Sequence, residues 1–153
     1  MDIQNACEDP APEDPDLLAW ISAALQGRRE TAEVSVRLVS EPEMAELNQR
    51  YRGKNGPTNV LSFPADLPDG IDHPLLGDIV VCPAVVNREA TEQNKSSSQH
   101  WMHMMVHGSL HLLGYDHIDE GDARQMEALE RQILADGGYP DPYEDTSLQE
   151  VDA

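Results

Sequence analysis

Basic residues are scarce in this chain: 10 lysines and arginines stand against 29 aspartates and glutamates, a formal net charge of −19. A protein that grips nucleic acid across a broad surface needs a basic face to neutralise phosphates, so the composition excludes that mode of binding. Cysteine is nearly absent, with 2 in the chain. Cys7 lies in the acidic opening stretch and Cys82 ends an apolar run, which leaves neither a disulfide framework nor a CxxC metal pair. No apolar run approaches the length needed to cross a bilayer, so a membrane is not an expected partner. The opening stretch, MDIQNACEDPAPEDPD, has neither the positive flank nor the apolar core of a signal peptide, and a cytoplasmic location is the expectation. Internal repeats are missing too.

The length, 153 residues, suits one compact domain with a single core. We expect one domain over residues 1–153, with residues 1–15 as an acidic flexible leader and residues 139–153 as an acidic, disordered tail. That tail, YPDPYEDTSLQEVDA, carries five acids and no base, the pattern of a solvated segment. Six of the 10 basic residues fall between Arg28 and Lys54, so whole-chain charge describes solubility better than it describes any site.

Between the ends, periodicity marks out helices and strands. DPDLLAWISAALQ places Leu17, Leu18, Ile21, Ala24 and Leu25 at helical spacing. VSVRLVS alternates Val34, Val36 and Leu38 against Ser35 and Arg37, a half-buried strand. Ser40-Glu41-Pro42-Glu43 has the form of a capping box and opens a helix with Met44, Leu47 and Tyr51 on one face. Two β-rich runs follow, Thr58 to Phe63 and Gly77 to Cys82, then a polar helix from Pro83 to about Lys95. A mostly apolar helix is predicted from Gln99 to Leu113, stopping at Gly114. The last helix is predicted from Asp119 to the Gly137-Gly138 pair, with Met126, Leu129 and Ile133 buried. Strands and helices interleave without βαβα regularity, which predicts an α+β fold with a small mixed sheet and packed helices.

Five of the six histidines lie in HWMHMMVHGSLHLLGYDH, from His100 to His117. On a helix, His107 and His111 are one turn apart and project from the same face. Gly114 permits the left-handed backbone that returns His117 toward the same point. The resulting H-x3-H-x2-G-x2-H spacing is that of the three-histidine metzincins, and three imidazoles leave one zinc position open, as in a catalytic site. One Zn²⁺ per chain, on His107, His111 and His117, is the expectation. Where a zincin protease has its general-base Glu, this chain has Gly108, which argues against peptide hydrolysis. Single histidines on apolar helices are ordinarily packing residues; for His100 and His103 packing or hydrogen bonding to a ligand is as good a reading as catalysis. Asp116 is read as an orienter of a ligand histidine or as a helix cap, and His73 as an exposed loop residue.

The stretch LNQRYRGKNGPTNVLSFP surrounds Tyr51 with Arg50, Arg52 and Lys54, and guanidinium groups suit phosphate oxygens. Together with LGDIVVCP and the histidine segment, it resembles the YbeY family of bacterial rRNA maturation factors from about Val34 to Tyr143. The resemblance implies a zincin-like fold with the metal-binding helix followed by a glycine turn. It implies a single-strand-specific, zinc-dependent endoribonuclease in maturation of the small-subunit rRNA 3′ end and late ribosome quality control. The partners it implies are single-stranded rRNA, the ribosome or small-subunit ribosomal proteins, and a ribosome-assembly GTPase. The family's functionally important arginine falls on Arg52, expected to stabilise transition-state charge. Asn55 stands where an acid often follows the lysine. His103 is expected to relay a proton in place of the missing Glu. The alternatives are an assembly or RNA-binding factor with a structural zinc and, more distantly, a metalloprotease.

Overall fold

The computed structural model describes residues 2–26, 33–65, 75–115 and 120–143. Their order is β1 (Asp2–Asn5), α1 (Asp14–Leu25), β2 (Glu33–Leu38), α2 (Glu41–Arg52), β3 (Val60–Pro64), β4 (Leu75–Val81), α3 (Pro83–Glu92), α4 (Ser97–Leu112) and α5 (Glu120–Asp136). The sheet runs β1-β2-β4-β3, with β1 and β4 parallel to β2 and β3 antiparallel to β4. This is the expected α+β fold with a small mixed sheet. None of the described helices is long and apolar enough to cross a membrane.

Strand alternation decides what each face of the sheet carries. Val34, Val36 and Leu38 of β2 and Ile79 and Val81 of β4 join Leu17 and Ile21 of α1 and Trp101 and Met105 of α4 in the main core. Val80 and Leu61 point the other way and pack with Met44 under α2. Helix α4 therefore lies against the sheet with α1 and α3 beside it, while α5 closes its outer side through Met126, Ile133 and Leu134. Trp101 is fully buried, and its indole N–H donates to Asn87 Oδ1 at 2.8 Å, so its one polar group is satisfied.

Local capping sets where the site helices begin and end. Ser40 Oγ accepts from the Glu43 N–H at 3.4 Å, and α2 stops at Gly53 with φ 66°. The reciprocal half of the expected capping box is not made, because the Glu43 carboxylate takes two bonds from Arg37 at 3.1 and 2.8 Å. Ser96 caps α4 through the Gln99 N–H at 3.1 Å. At the other end Gly114 adopts φ 103°, and the N–H groups of Gly114 and Tyr115 close the helix on His111 and Leu110 carbonyls.

Several expectations are corrected. The residue 1–15 leader is not wholly a flexible segment: Asp2–Asn5 pairs with Ser35–Leu38, and α1 begins at Asp14. Backbone pairing with the open edge of β2 holds this strand, and Ile3 and Cys7 pack on the core, which acidic composition conceals. The tail beginning at residue 139 is likewise placed as far as Tyr143: Arg131 Nε donates to Asp141, and the Tyr143 N–H donates to Asp141 Oδ1 at 2.7 Å. Helix α3 is not polar throughout, since Val85, Val86 and Ala90 are buried. Tyr51 is 58% exposed rather than part of a buried stripe, the inward position going to Asn48. Leu18 is half-buried, outside the fully buried α1 stripe of Leu17, Ile21, Ala24 and Leu25.

Candidate active site

Helix α4 carries four histidines, spaced so that each ring approaches the next. Successive ring centroids are 6.2 Å apart for His100 and His103, 6.3 Å for His103 and His107, and 4.7 Å for His107 and His111. The ladder runs from inside to outside: His100 and His103 are buried, while His107 and His111 are half-buried. The outer pair borders a cavity of about 530 Å³ whose other walls are the end of α2, with Tyr51 and Arg52, and strand β3, with Ser62 and Phe63 and with Asn59 just before it. The cavity lining contains no acid among the described residues. Arg52 also has no ion-pair partner among them, whereas its neighbour Arg50 is paired with Glu46 at 3.1 Å.

Gly108 is where α4 crosses β3. Its carbonyl accepts a hydrogen bond from Ser62 Oγ at 3.0 Å, and a Cβ there would lie 3.2 Å from that oxygen and 3.4 Å from Ile79. The position a protease would give to its general base thus faces the sheet and is filled by a close helix–strand contact.

A buried carboxylate stands behind the histidines. Glu130 of α5 is 0% exposed; its Oε1 lies 2.7 Å from His103 Nε2 and its Oε2 2.9 Å from His107 Nδ1. The Tyr143 hydroxyl donates to the same Oε1. Burial opposes ionisation of Glu130, but the bonds from His103 and His107 outweigh it and hold its pKa down to about 2. An ionised carboxylate only accepts, so His103 Nε2 and His107 Nδ1 each carry a proton. Burial pushes His103 below the usual imidazole range, with Glu130 partly offsetting it, which favours the neutral ring; its buried Nδ1 has no hydrogen-bond partner among the described residues. Burial, followed by the Glu130 charge, raises the Tyr143 phenol. Arg131 sits 5.3 Å from the Tyr143 ring centroid and keeps it in place.

A second, partly buried chain supports the cavity wall. Glu89 accepts from Asn59 Nδ2 at 3.1 Å and pairs with His100 Nε2 at 2.9 Å, while Asn59 Oδ1 accepts from the Val60 N–H. His100 thereby reaches β3 through Glu89 rather than touching the cavity.

Of the residues singled out in the sequence, His107, His111 and Arg52 meet at one cavity. His103 is not among its lining residues and is held by Glu130. His117, Asp116 and His73 lie outside the described residues. Sequence reasoning missed Glu130, Asn59 and Tyr143. A signal for Glu130 existed: it falls four residues after Met126 and three before Ile133, on the apolar stripe of α5 where an acid is out of place. The donor set suits a borderline metal such as zinc: imidazoles one helical turn apart, one of them backed by a carboxylate. His103, His107 and Glu130 also bring one ligand atom each within 4.8 Å of one another.

Comparison with known proteins agrees with this architecture. A family model described as endoribonuclease YbeY matches residues 2–138, so the likeness starts well before Val34. An endoribonuclease YbeY of Pseudomonas syringae pv. tomato is 56% identical over 146 residues, 95% of this chain and 88% of that protein. One from Pseudomonas putida is 53% identical over 152 residues, covering 99% of this chain and 97% of its own. The solution structure of a Thermotoga maritima protein superposes with a TM-score of 0.55 at 27% identity, over 93% of this chain and 99% of that one. From its core strands to its histidine helix, the chain belongs to the endoribonuclease YbeY family.

Proposed function

We propose that this chain is a zinc-dependent endoribonuclease specific for single strands, acting on the 3′ end of small-subunit rRNA and in late ribosome quality control. The observation that carries the reading is the meeting of His107, His111 and Arg52 at one cavity without a lining acid among the described residues. His107 and His111, with His117 as the third, would hold the zinc. When bound, zinc supplies a Lewis acid that polarises a phosphoryl oxygen.

The chain's own residues supply the rest. Arg52 offers a planar, charge-assisted fork to the phosphate, where it stabilises the negative charge that builds up as phosphorus is attacked. A cavity wall whose described residues include no carboxylate keeps local repulsion low although the chain as a whole is strongly acidic. Tyr51 packs edge-on against Phe63 at 5.1 Å, and both residues also line a neighbouring groove of about 470 Å³ on the sheet face, with Gln4 and Ser35. The exposed Tyr51, with half-buried Phe63 beside it, borders both hollows and suits unstacked bases of a single strand. His103 serves by holding Glu130 and not by relaying a proton. The small basic surface leaves the ribosome, through small-subunit proteins or an assembly GTPase, to provide much of the docking energy.

The −19 charge favours a second reading, an assembly factor whose zinc is structural. Turnover separates the two. Purified protein with zinc should cleave single-stranded rRNA fragments repeatedly, and chelation or His111→Ala should stop it. Stoichiometric RNA binding without cleavage would leave the second reading standing.

A further inference from the structure

Glu130 needs an explanation that the cavity does not supply. An ionised carboxylate removed from water costs several kcal/mol unless its oxygens are satisfied. Here satisfaction takes donors from one helix and from the segment after α5: His103 and His107 of α4, and Tyr143, itself held by Arg131 and Asp141. Lys95 Nζ adds a bond to the Pro142 carbonyl at 3.3 Å. Four separate contacts thus hold Asp141–Tyr143 over a carboxylate that no solvent reaches.

We infer that Glu130 is a positioning residue for the metal, fixing His107 in the Nδ1–H tautomer so that Nε2 is the coordinating atom, and that Asp141–Tyr143 is the clamp that fixes Glu130. This rests on the zinc reading above. A neutral imidazole can present either nitrogen to a metal; donation of Nδ1–H at 2.9 Å to an acceptor-only carboxylate selects one tautomer and one ring orientation. Direct ligation by Glu130 with His103 and His107 is the competing arrangement, since their ligand atoms lie within 4.8 Å. An ion there would have to displace both imidazole N–H bonds and the Tyr143 hydroxyl, in an interior where His103 is 8% exposed and Glu130 fully buried. The His107–His111 pair, by contrast, borders the open cavity.

The test measures zinc affinity of the full chain by chelator competition, together with the His107 tautomer by ¹⁵N NMR on metal-free protein. Glu130→Gln should bind zinc roughly 10- to 100-fold more weakly than the unaltered chain. Glu130→Asp should fall between the two, and Tyr143→Phe should weaken binding by less than about tenfold, below the range typical of a group bonded directly to a ligand. Metal-free protein should show His107 protonated at Nδ1. Loss of zinc in His111→Ala with undiminished affinity in Glu130→Gln would overturn the inference and leave the zinc reading intact. No zinc binding by the unaltered chain would sink the zinc reading instead. Should Glu130→Gln fail to fold, the tautomer decides: an Nε2–H on His107 of the unaltered protein overturns the positioning role.

Discussion

The Ser62 hydroxyl donates to the Gly108 carbonyl at 3.0 Å, so strand β3 and helix α4 meet with only the short Ser62 side chain between their backbones, Gly108 adding none of its own. The contact brings the cavity wall at Asn59–Phe63 against the face that carries His107 and His111. It also changes the meaning of Gly108, which is a packing position as much as an absent base.

Gly108→Glu should therefore act on stability before it acts on chemistry. A carboxylate grown from a Cβ 3.2 Å from Ser62 Oγ and 3.4 Å from Ile79 meets a closed interior. Overpacking and burial of a charge together should cost about 2–4 kcal/mol, and thermal unfolding should show it as a fall of several degrees. No proteolysis of casein should appear. A variant of undiminished melting temperature would mean that the strand yields easily and that the contact is not tight.

Metal occupancy tests the ligand set. Purified protein should carry about one zinc per chain, and alanine at His107, His111 or His117 should each lower it sharply, because two imidazoles hold the ion far less tightly than three. His100→Ala should keep its zinc, since that ring reaches β3 through Glu89 and lies outside the cavity. Elemental analysis of the four variants checks this. Full stoichiometry in all three ligand variants would refute the assignment.

Arg52→Ala should lower RNA cleavage about 100-fold, the usual effect of deleting one group that stabilises transition-state charge. Its side chain is exposed and unpaired among the described residues, so the melting temperature should move by no more than a degree or two, as for other surface substitutions. Arg52→Lys should recover only part of the rate, lacking the planar fork. Equal losses of stability and activity would assign Arg52 to structure.

The elements legible in the sequence were those with strong period and punctuation. Val34, Val36 and Leu38 alternate cleanly, and Gly114 ends α4 at φ 103° because nothing but glycine adopts that backbone easily. The outer histidines were legible for the same reason, as i and i+4 on one helix. What stayed hidden depended on pairing between distant residues. Asp2–Asn5 holds one strongly apolar residue, Ile3, and becomes a strand only because β2 offers an edge. Tyr143 looked like part of an acidic tail because its partner, Glu130, lies on another element. Long-range satisfaction of a buried charge leaves no periodic trace, except the misplaced acid itself.

Acid should destabilise the metal-free fold through two buried groups. Glu130 is held at about 2 against an ordinary 4.5, so the stability it contributes is complete above pH 4.5 and is lost as pH falls toward 2. His103 is depressed below 6.5, so from that pH downward the unfolded chain takes a proton that the folded ring resists, again at the expense of the fold. Both effects have the same sign. Metal-free protein should lose stability steadily as pH falls from about 6.5, the histidine acting first and the carboxylate below 4.5. Glu130→Gln cannot ionise, so its stability should start lower at neutral pH and depend less steeply on pH below 4.5. Thermal melts of both proteins between pH 7 and 3 check this. Parallel curves below pH 4.5 would show that the buried carboxylate does not govern the acid limit of this fold.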